Sequence, residues 1–346
     1  MEKNNKKIKV AVAMSGGVDS SVSAALLKEA GFDVVGVMMR LHNHSKNSEK
    51  MARLVAKKIG IPFYVINAEK EFKKKVVDYF LAEYKKGNTP NPCVVCNKEI
   101  KFGLLIEKAL KMGVDYVATG HYARTTLAPL SGARLCTGKD KEKDQSYFLW
   151  QLNQKQLSRV LFPVGNYTKP EVRKLAKKFG LPTADSKESQ EVCFISSTTN
   201  DFLKRYLKPK TGKILNKDGK TLGTHQGLWF YTIGQRRGIE VQQGPWYVVA
   251  KDFKNNNLII SKDKKDLLQK ELVAENVNWI SGREPKLPLK IKAKIRYRTK
   301  LADVTIYKLQ AKNYKLKFDK PQPAITPGQS VVFYRGQQLL GGGVIK

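Results

Sequence analysis

The chain has 346 residues, and its length and composition already exclude several classes of protein. A chain of this size is expected to form two or three domains. It contains no apolar run of about 18 residues that could cross a membrane, and no apolar segment of a secretion signal follows the first basic residues. We therefore expect a cytoplasmic protein without a membrane partner.

Charge and cysteine content narrow the function further. The chain has 64 Lys and Arg against 30 Asp and Glu, a formal net charge of +34, which indicates a polyanionic partner. A proteome rich in lysine is the alternative explanation. Four cysteines are too few for a disulfide scaffold, and in a reducing compartment they are better explained as reactive, ligating or buried thiols. They are Cys93, Cys96, Cys136 and Cys193.

The first 200 residues alternate between strand-like and helix-like segments, which is typical of a parallel α/β sheet. Thr168 and Glu171 are spaced as a capping box at the start of the last helix. The element order predicts a doubly wound sheet. Strands are predicted at about 9–14, 33–39, 62–68 and 116–120, helices at about 20–31, 47–59, 69–86, 98–112 and 169–180, and a β-hairpin at 123–138.

Beyond residue 205 the pattern changes to short apolar runs separated by Gly, Pro and Asn. Residues 246–261 predict a hairpin that turns at Asn255–Asn257, and five or six alternating runs after residue 270 predict a small antiparallel barrel. Residues 281–320 contain 13 Lys and Arg against 3 Asp and Glu, with three tyrosines interleaved. This pattern indicates a nucleic-acid surface, although a solvated β surface would look similar.

The string AMSGGVDSS, residues 13–21, lies where the first strand turns into the first helix. Its glycines let backbone N–H groups approach an anion. The G-K-[ST] end of a Walker A loop is missing, so Ser15, Ser20 and Ser21 are the candidate donors to phosphate oxygens, and Asp19 is a candidate for contact with Mg²⁺. The string resembles the SGGxDS pyrophosphate loop of the adenylating ATP pyrophosphatases, which implies ATP cleavage between the α and β phosphates.

Cys93 and Cys96 are three residues apart in the string NPCVVCNKEI. Cys96 is expected at the start of a helix that begins near Lys98, and Lys101 adds further positive charge, so that a thiolate would be stabilised there. Cys193 lies between a polar run and an apolar run. Cys136 falls in the predicted hairpin and is expected to be a buried or half-buried thiol.

Four kinds of chemistry can be assigned to Cys93, Cys96 and Cys193. A structural zinc site usually has two close pairs of ligands, and only one close pair exists here. A thioredoxin-type C-x-x-C would open a helix directly after a strand, whereas this one follows a helix and a loop. Three cysteines can also hold a [4Fe–4S] cluster with one iron open. In the fourth, one cysteine carries a persulfide that another cysteine attacks.

Seven longer strings, in order along nearly the whole chain, resemble the tRNA-specific 2-thiouridylases. They are GNTPNPCVVCNKEIKFG, ATGHYAR, KDQSYFLW, FPVGNYTKPEVRKLA, ESQEVCFI, GQRRGI and TPGQSVVFYRGQQLLGGGVI. The resemblance implies a catalytic domain at 1–204, a central tRNA-binding domain at 205–269 and a barrel that binds tRNA at 270–346. It also implies ATP-dependent 2-thiolation of the wobble uridine of tRNA, with adenylation of the uracil C2 oxygen, sulfur transfer from a cysteine persulfide, and release of AMP and pyrophosphate.

The resemblance further implies a role for individual residues. Cys96 would be the nucleophile, and Cys193 would carry the persulfide, loaded by a cysteine desulfurase or a sulfur-relay protein. The ATP-binding residues would be Ala13, Met14, Ser15, Gly16, Gly17, Val18, Asp19, Ser20, Met39 and Gly120. The tRNA-binding residues would be Asn91, Pro92, Cys93, His121, Lys143, Asp144, Gln145, Arg296, Tyr297 and Gln329.

One position departs from the family pattern. Many members have an aspartate where this chain has Cys93, which leaves Cys93 as a tolerated substitute, a thiol in contact with the base, or a third cluster ligand. Two rival functions also remain. An adenylating amidotransferase of the GMP synthetase type would use ammonia and give Cys193 no role, and a non-catalytic RNA-binding protein would have a vestigial ATP site.

Overall fold

The computed structural model describes residues 7–42, 46–128, 132–186 and 192–346. The strands are β1 (Lys9–Ala13), β2 (Asp33–Arg40), β3 (Phe63–Asn67), β4 (Tyr116–Ala118), β5 (Ala123–Ala128), β6 (Gly132–Thr137), β7 (Val160–Leu161), β8 (Gly212–Leu215), β9 (Thr221–His225), β10 (Tyr247–Asp252), β11 (Asn257–Ser261), β12 (Leu268–Trp279), β13 (Leu289–Lys294), β14 (Ala302–Gln310), β15 (Asn313–Pro323), β16 (Ser330–Arg335) and β17 (Gln338–Ile345). The α-helices are α1 (Val18–Glu29), α2 (Lys46–Ile59), α3 (Glu69–Phe72), α4 (Asp78–Lys85), α5 (Pro92–Cys96), α6 (Leu105–Lys111), α7 (Gln154–Leu157), α8 (Lys169–Lys178) and α9 (Thr199–Lys204).

The first sheet has five parallel strands in the order β3-β2-β1-β4-β7. Because side chains alternate along a strand, Val10 and Val12 pack with Val22 of α1 on one face, whereas Ala11 packs with Leu105 of α6 on the other. Both faces are therefore covered by helices, as in other parallel sheets. The predicted doubly wound sheet is confirmed.

Two pairs of α-helices are joined by π-helical segments into longer helices. Lys73–Val77 joins α3 to α4, and Asn97–Leu104 joins α5 to α6. The predicted start of the cysteine helix near Lys98 is wrong, because the helix begins at Pro92. Proline suits a first helical position, where its missing N–H has no partner to lose.

The central and C-terminal sheets follow the predicted pattern. β10 and β11 form the expected hairpin within a four-stranded sheet of order β10-β11-β8-β9. Strands β12 to β17 form a six-stranded antiparallel barrel, closed by the pairing of β12 with β17. The predicted small barrel is confirmed.

The hairpin of β5 and β6 connects the first sheet to the barrel. Its existence was predicted, although residues 129–131 of its turn lie outside the described residues. β6 pairs with β17, with Cys136 opposite Gln338 and Leu135 opposite Leu339, so the barrel sheet gains two strands from the N-terminal region. Cys136 is half-buried there, as expected.

The segment Gly87–Pro90, which leads into the cysteine helix, is held by both downstream regions. Lys251 on β10 donates to the carbonyl oxygen of Gly87 at 2.7 Å. From the other side, Gln329 donates through Nε2 to the carbonyl oxygen of Thr89 at 2.7 Å. The position of the cysteine helix therefore depends on the central and C-terminal regions.

Burial of Lys251 predicts a pH dependence of stability. Its ammonium group also donates to the carbonyl of Tyr231 at 2.6 Å, and burial lowers its pKa from 10.5 to about 8. Between pH 8 and 10.5 the unfolded chain binds the extra proton, so this group makes the folded state more stable as the pH rises. We expect the stability of wild type relative to Lys251→Met to increase by about 1 to 3 kcal/mol between pH 7.5 and 10.

Denaturant unfolding at the two pH values measures this difference. Lys254→Met is the matched control, since Lys254 is an exposed lysine three residues away in the same hairpin. A constant difference for Lys251→Met would contradict the prediction.

Candidate functional site

A cavity of about 750 Å³ opens at the carboxyl ends of β1, β2 and β4. The chain leaves β1 toward β2 and β3 on one side, and β4 and β7 lie on the other. Such a reversal in strand order creates a crevice beside the central strand, where ligands bind in open α/β sheets. The volume is also within the usual range for small-molecule sites.

The cavity brings together most of the residues expected from the sequence. Its lining includes Ala13, Met14, Ser15, Gly16, Gly17, Asp19, Ser20, Met39, Pro92, Cys93, Cys96, Gly120, His121, Gln145 and Cys193. Cys96 and Cys193, which are 97 positions apart in sequence, thus face the same space. The other expected site residues lie outside this lining: Val18, Asn91, Lys143, Asp144, Arg296, Tyr297 and Gln329.

The serines of the nucleotide loop differ in availability. The hydroxyl groups of Ser15 and Ser20 lie 3.3 Å apart, and both residues line the cavity. Ser21, by contrast, is fully buried and donates to the carbonyl oxygen of Gly17 at 2.9 Å. The Ser20 hydroxyl also donates to the Gly17 carbonyl, at 3.1 Å, so Ser21 differs mainly in lying outside the cavity lining, and its expected contact with phosphate stays a prediction.

Asp19 is the acidic group of the loop, and two side chains that sequence reasoning missed hold it. The Nζ of Lys169 donates to its two carboxylate oxygens at 2.7 and 2.9 Å, and the Tyr122 hydroxyl donates at 2.7 Å. Lys169 and Tyr122 belong to strings already noted, KPEVRKLA and GHYAR, but their pairing with a residue more than 100 positions away has no local signal.

This carboxylate fits the usual donor set for Mg²⁺, which is one or two carboxylates with substrate phosphates and water. Within the described part of the chain, no group of three or more His, Cys, Asp or Glu side chains is arranged to hold a metal ion. The zinc and [4Fe–4S] interpretations of Cys93, Cys96 and Cys193 therefore gain no support from the side-chain arrangement.

The three thiols of the cavity are not activated in this structure. Burial raises the pKa of Cys96 to about 12, with the charge of Lys101 opposing that shift. Cys93 and Cys193 reach solvent through the cavity, but surrounding protein atoms still raise their pKa values. The expected stabilised thiolate at Cys96 is therefore wrong for the free protein, since the helix start lies at Pro92 and burial outweighs the lysine charge.

His121 faces the cavity as a neutral imidazole. Its Nδ1 lies 2.7 Å from the Thr119 hydroxyl, and its ring packs edge-on against Phe162. Burial lowers its pKa well below the usual value of 6.5. At neutral pH the ring can donate or accept a hydrogen bond but carries no charge.

Aromatic packing holds Cys193 against the cavity. The neighbouring Phe194 makes edge contacts with Phe72 and Phe80, at ring distances of 5.7 and 5.4 Å. Those rings lie on α3 and α4. The Cys193 loop is thereby tied to the long helix on the far side of the cavity from the nucleotide loop.

Residues 143–145, which are expected to contact tRNA, differ in their exposure to solvent and to the cavity. Asp144 is buried, and its carboxylate accepts from the backbone of Gly138 at 3.0 Å and from the Ser146 hydroxyl at 2.9 Å. Gln145 accepts the Tyr122 N–H through Oε1 at 3.0 Å while lining the cavity. Lys143 is half-buried at the surface beside them. In this structure Asp144 supports the loop from within.

Arg296 and Tyr297, two barrel residues expected to bind tRNA, contact other regions of the chain. The guanidinium group of Arg296 donates to the carbonyls of Ile233 and Ala324, at 2.9 and 3.1 Å. Tyr297 packs on Phe148 with ring centroids 4.4 Å apart. Arg296 thus joins the central region to the barrel, and its expected contact with tRNA stays a prediction. Asn91, at the start of the cysteine helix, hydrogen-bonds Tyr147.

No helix among the described residues is long and apolar enough to cross a membrane.

Three family models match the chain in succession. They are the tRNA methyl transferase HUP domain at residues 8–197, the tRNA methyl transferase PRC-barrel domain at 200–262 and the aminomethyltransferase beta-barrel domain at 269–345.

Several relatives align over nearly their whole length. The tRNA-specific 2-thiouridylase MnmA 2 of Geobacillus kaustophilus is 45% identical over 359 residues, with 100% of this chain and 96% of the relative covered. The tRNA-specific 2-thiouridylase MnmA of Syntrophomonas wolfei is 46% identical over 340 residues, with 98% and 100% covered. That of Alkaliphilus oremlandii is 44% identical, with 100% and 99% covered. These matches over the whole chain show that the protein belongs to the tRNA-specific 2-thiouridylase family, and its nucleotide-type loop and two distant cysteines line a single cavity.

Proposed function

We propose that this protein is a tRNA-uridine 2-sulfurtransferase, which replaces the C2 oxygen of the wobble uridine with sulfur in an ATP-dependent reaction. The observation that carries the proposal is the shared cavity, which is lined by residues of the SGGVDS loop together with Cys96 and Cys193. Relatives named for this activity are about 45% identical over the whole chain.

The nucleotide loop supplies the first step. The carbonyl oxygen at C2 of uracil is a poor leaving group, so it must first attack the α phosphate of ATP and become an adenylate. The backbone N–H groups of the loop and the hydroxyl groups of Ser15 and Ser20 are placed to bind phosphate oxygens. Asp19 would hold Mg²⁺, which when bound neutralises charge on the phosphates.

The two cysteines supply the second step. The terminal sulfur of a Cys193 persulfide attacks C2, the C2–O bond breaks, and AMP leaves with the electron pair. The Cys96 thiolate then attacks the Sγ atom of Cys193 and breaks its bond to the transferred sulfur. This forms a Cys96–Cys193 disulfide and leaves the transferred sulfur on C2 with the electron pair of the broken bond. An external dithiol reduces the disulfide, and a desulfurase or relay protein reloads Cys193.

The remaining walls of the cavity suit an extruded base. Met39, Leu41, Phe72, Val76 and Phe194 form an apolar side next to the cysteines. Flat, apolar walls favour stacking with a nucleobase, and an anticodon base is already unpaired, so moving it into the cavity costs little. The basic surface of the barrel is suited to the phosphates of the same tRNA.

Mass spectrometry of tRNA tests the proposal. We expect 2-thiouridine at the wobble position, with AMP formed in a ratio near one to one, after incubation of the protein with unmodified tRNA, Mg²⁺, ATP, a dithiol, and a cysteine desulfurase with cysteine. Omission of ATP is expected to abolish the product. Unchanged tRNA together with ammonia-dependent AMP formation would instead favour an amidotransferase. Unchanged tRNA with tight tRNA binding and no AMP would indicate a non-catalytic RNA-binding protein.

A further inference from the structure

The active cavity has one cation that the proposed reaction has not yet used. Among the described residues that line the cavity, Lys101 is the only lysine or arginine. No ion pair joins its side chain to a described residue, whereas the nearby Lys98 lies 3.8 Å from Glu99. Lys101 therefore presents its charge to the cavity and not to a protein carboxylate.

The π-helical segment Asn97–Leu104 explains why Lys101 faces the cavity. In a regular α-helix, residues five apart are separated by about 140° around the axis, so Cys96 and Lys101 would point in different directions. In a π-helix the N–H group bonds five residues back, as Leu105 does to Ile100, so residues five apart lie much closer in angle than they do in an α-helix. The widened turn therefore places Lys101 on the face that carries Cys96.

Two other residues favour this π-helical turn: Gly103 leaves room for it, and Gln156 binds its carbonyl oxygens. A Cβ at Gly103 would lie 2.9 Å from the carbonyl oxygen of Lys98, closer than a side chain tolerates. Gln156 donates through Nε2 to the carbonyl oxygens of Phe102 at 2.8 Å and Lys98 at 3.3 Å. Because π-turns are rare and often occur at functional sites, a turn supported by its surroundings points to a role for the residue it reorients.

The charge of Lys101 acts on all three cavity thiols. It opposes the burial that raises the pKa values of Cys93, Cys96 and Cys193, and it also lowers the pKa of His121. The described titratable groups that line the cavity are Asp19, His42, Cys93, Cys96, Lys101, His121 and Cys193. Asp19, the acidic side chain in this set, is paired with Lys169, so Lys101 remains as the cation for the sulfur atoms.

We propose that Lys101 is the positioning residue of the sulfur-transfer step, and that its ammonium group holds the anionic sulfur atoms of Cys193 and Cys96 in the cavity. The inference rests on the proposed function, in which each sulfur in turn attacks as an anion. It assigns no such role to Lys98, which lies three residues earlier and pairs with Glu99.

Alkylation of the full-length protein by iodoacetamide tests this role, because the thiolate is the reacting form. The rate is measured against pH for Cys96 and Cys193 separately, by peptide mass spectrometry. For Lys101→Met we expect the Cys193 rate at pH 7.5 to fall about tenfold, as for a pKa raised by one unit, and to recover at higher pH. Lys101→Arg should stay within about twofold of wild type, and Lys98→Met should match wild type.

Single-turnover sulfur transfer from protein preloaded with persulfide provides the second readout. The Lys101→Met rate should fall with the alkylation rate and recover with pH, while Mg·ATP binding stays unchanged. An alkylation profile equal to wild type would overturn the proposal, as would a loss of Mg·ATP binding as large as the loss of sulfur transfer. If Lys101→Met unfolds, Lys101→Gln replaces it. Alkylation requires neither tRNA nor ATP, so wild-type protein that makes no 2-thiouridine would contradict the proposed function alone.

Discussion

Substitution of either Cys96 or Cys193 by serine is expected to lower 2-thiouridine formation by at least about 10³-fold, since removal of a catalytic nucleophile has effects of this size or larger. Serine preserves the shape of the side chain but cannot carry a persulfide or form a disulfide. Both residues line the cavity. Cys96 also packs with Phe72 and Val76, so its variant should lose some stability but keep the fold, and tRNA affinity should stay near wild type.

The two variants should differ in the step that they block. Cys193→Ser cannot accept sulfur, so it should show no persulfide after incubation with a desulfurase. Cys96→Ser should still accept sulfur on Cys193 and then accumulate a tRNA joined to Cys193 through a disulfide, visible by denaturing electrophoresis without reductant. Cys136→Ser is the control, since Cys136 lies in the β5–β6 hairpin and not in the cavity lining. Full thiolation by either active-site variant would refute the assignment of that cysteine.

Periodicity and end signals were enough to predict most elements. The capping box of Thr168 and Glu171 is present, with the Thr168 N–H donating to Glu171 at 2.6 Å, because such signals depend on residues only three positions apart. Strands β13 to β15 were predictable because they bury alternate residues over much of their length, which imposes alternation on the sequence. The start of the cysteine helix was missed although Pro92 is a favourable first helical residue, because two nearby prolines also suggested a loop.

The sequence alone could not predict which distant residues line the cavity together, or how that packing changes their pKa values. Cys193 lines the same cavity as Cys96, next to Phe194, which packs on Phe72 and Phe80, and nothing in the string ESQEVCFI indicates those partners. The raised pKa of Cys96 likewise depends on residues that are distant in sequence. The charges of Lys98 and Lys101 are visible in the sequence, but the burial that outweighs them depends on the complete packing of the cavity. Before the structure was known, only the family resemblance indicated that Cys96 and Cys193 act together.

Gly120→Ala is expected to lower nucleotide binding by at least about 100-fold, because the new methyl group overpacks a tightly filled site. A Cβ at Gly120 would lie 2.6 Å from the backbone nitrogen of Ser20 and 3.0 Å from the Cβ of Asp19. Both of those atoms belong to the first turn of α1. The turn must move away from β4, which separates Asp19 from Lys169 and Tyr122 and disturbs the phosphate-binding backbone.

Equilibrium binding of a non-hydrolysable ATP analogue measures the effect, with tRNA affinity as the internal reference. Gly223→Ala is the matched control: a Cβ there would have its nearest neighbour, a methyl group of Val241, at 3.6 Å, an ordinary contact distance. We expect Gly120→Ala to keep tRNA binding, since the barrel and central region lie away from the altered turn. Retention of nucleotide affinity by Gly120→Ala would mean that the first turn of α1 can shift without consequence, and that the loop does not bind the phosphates in the conformation seen here.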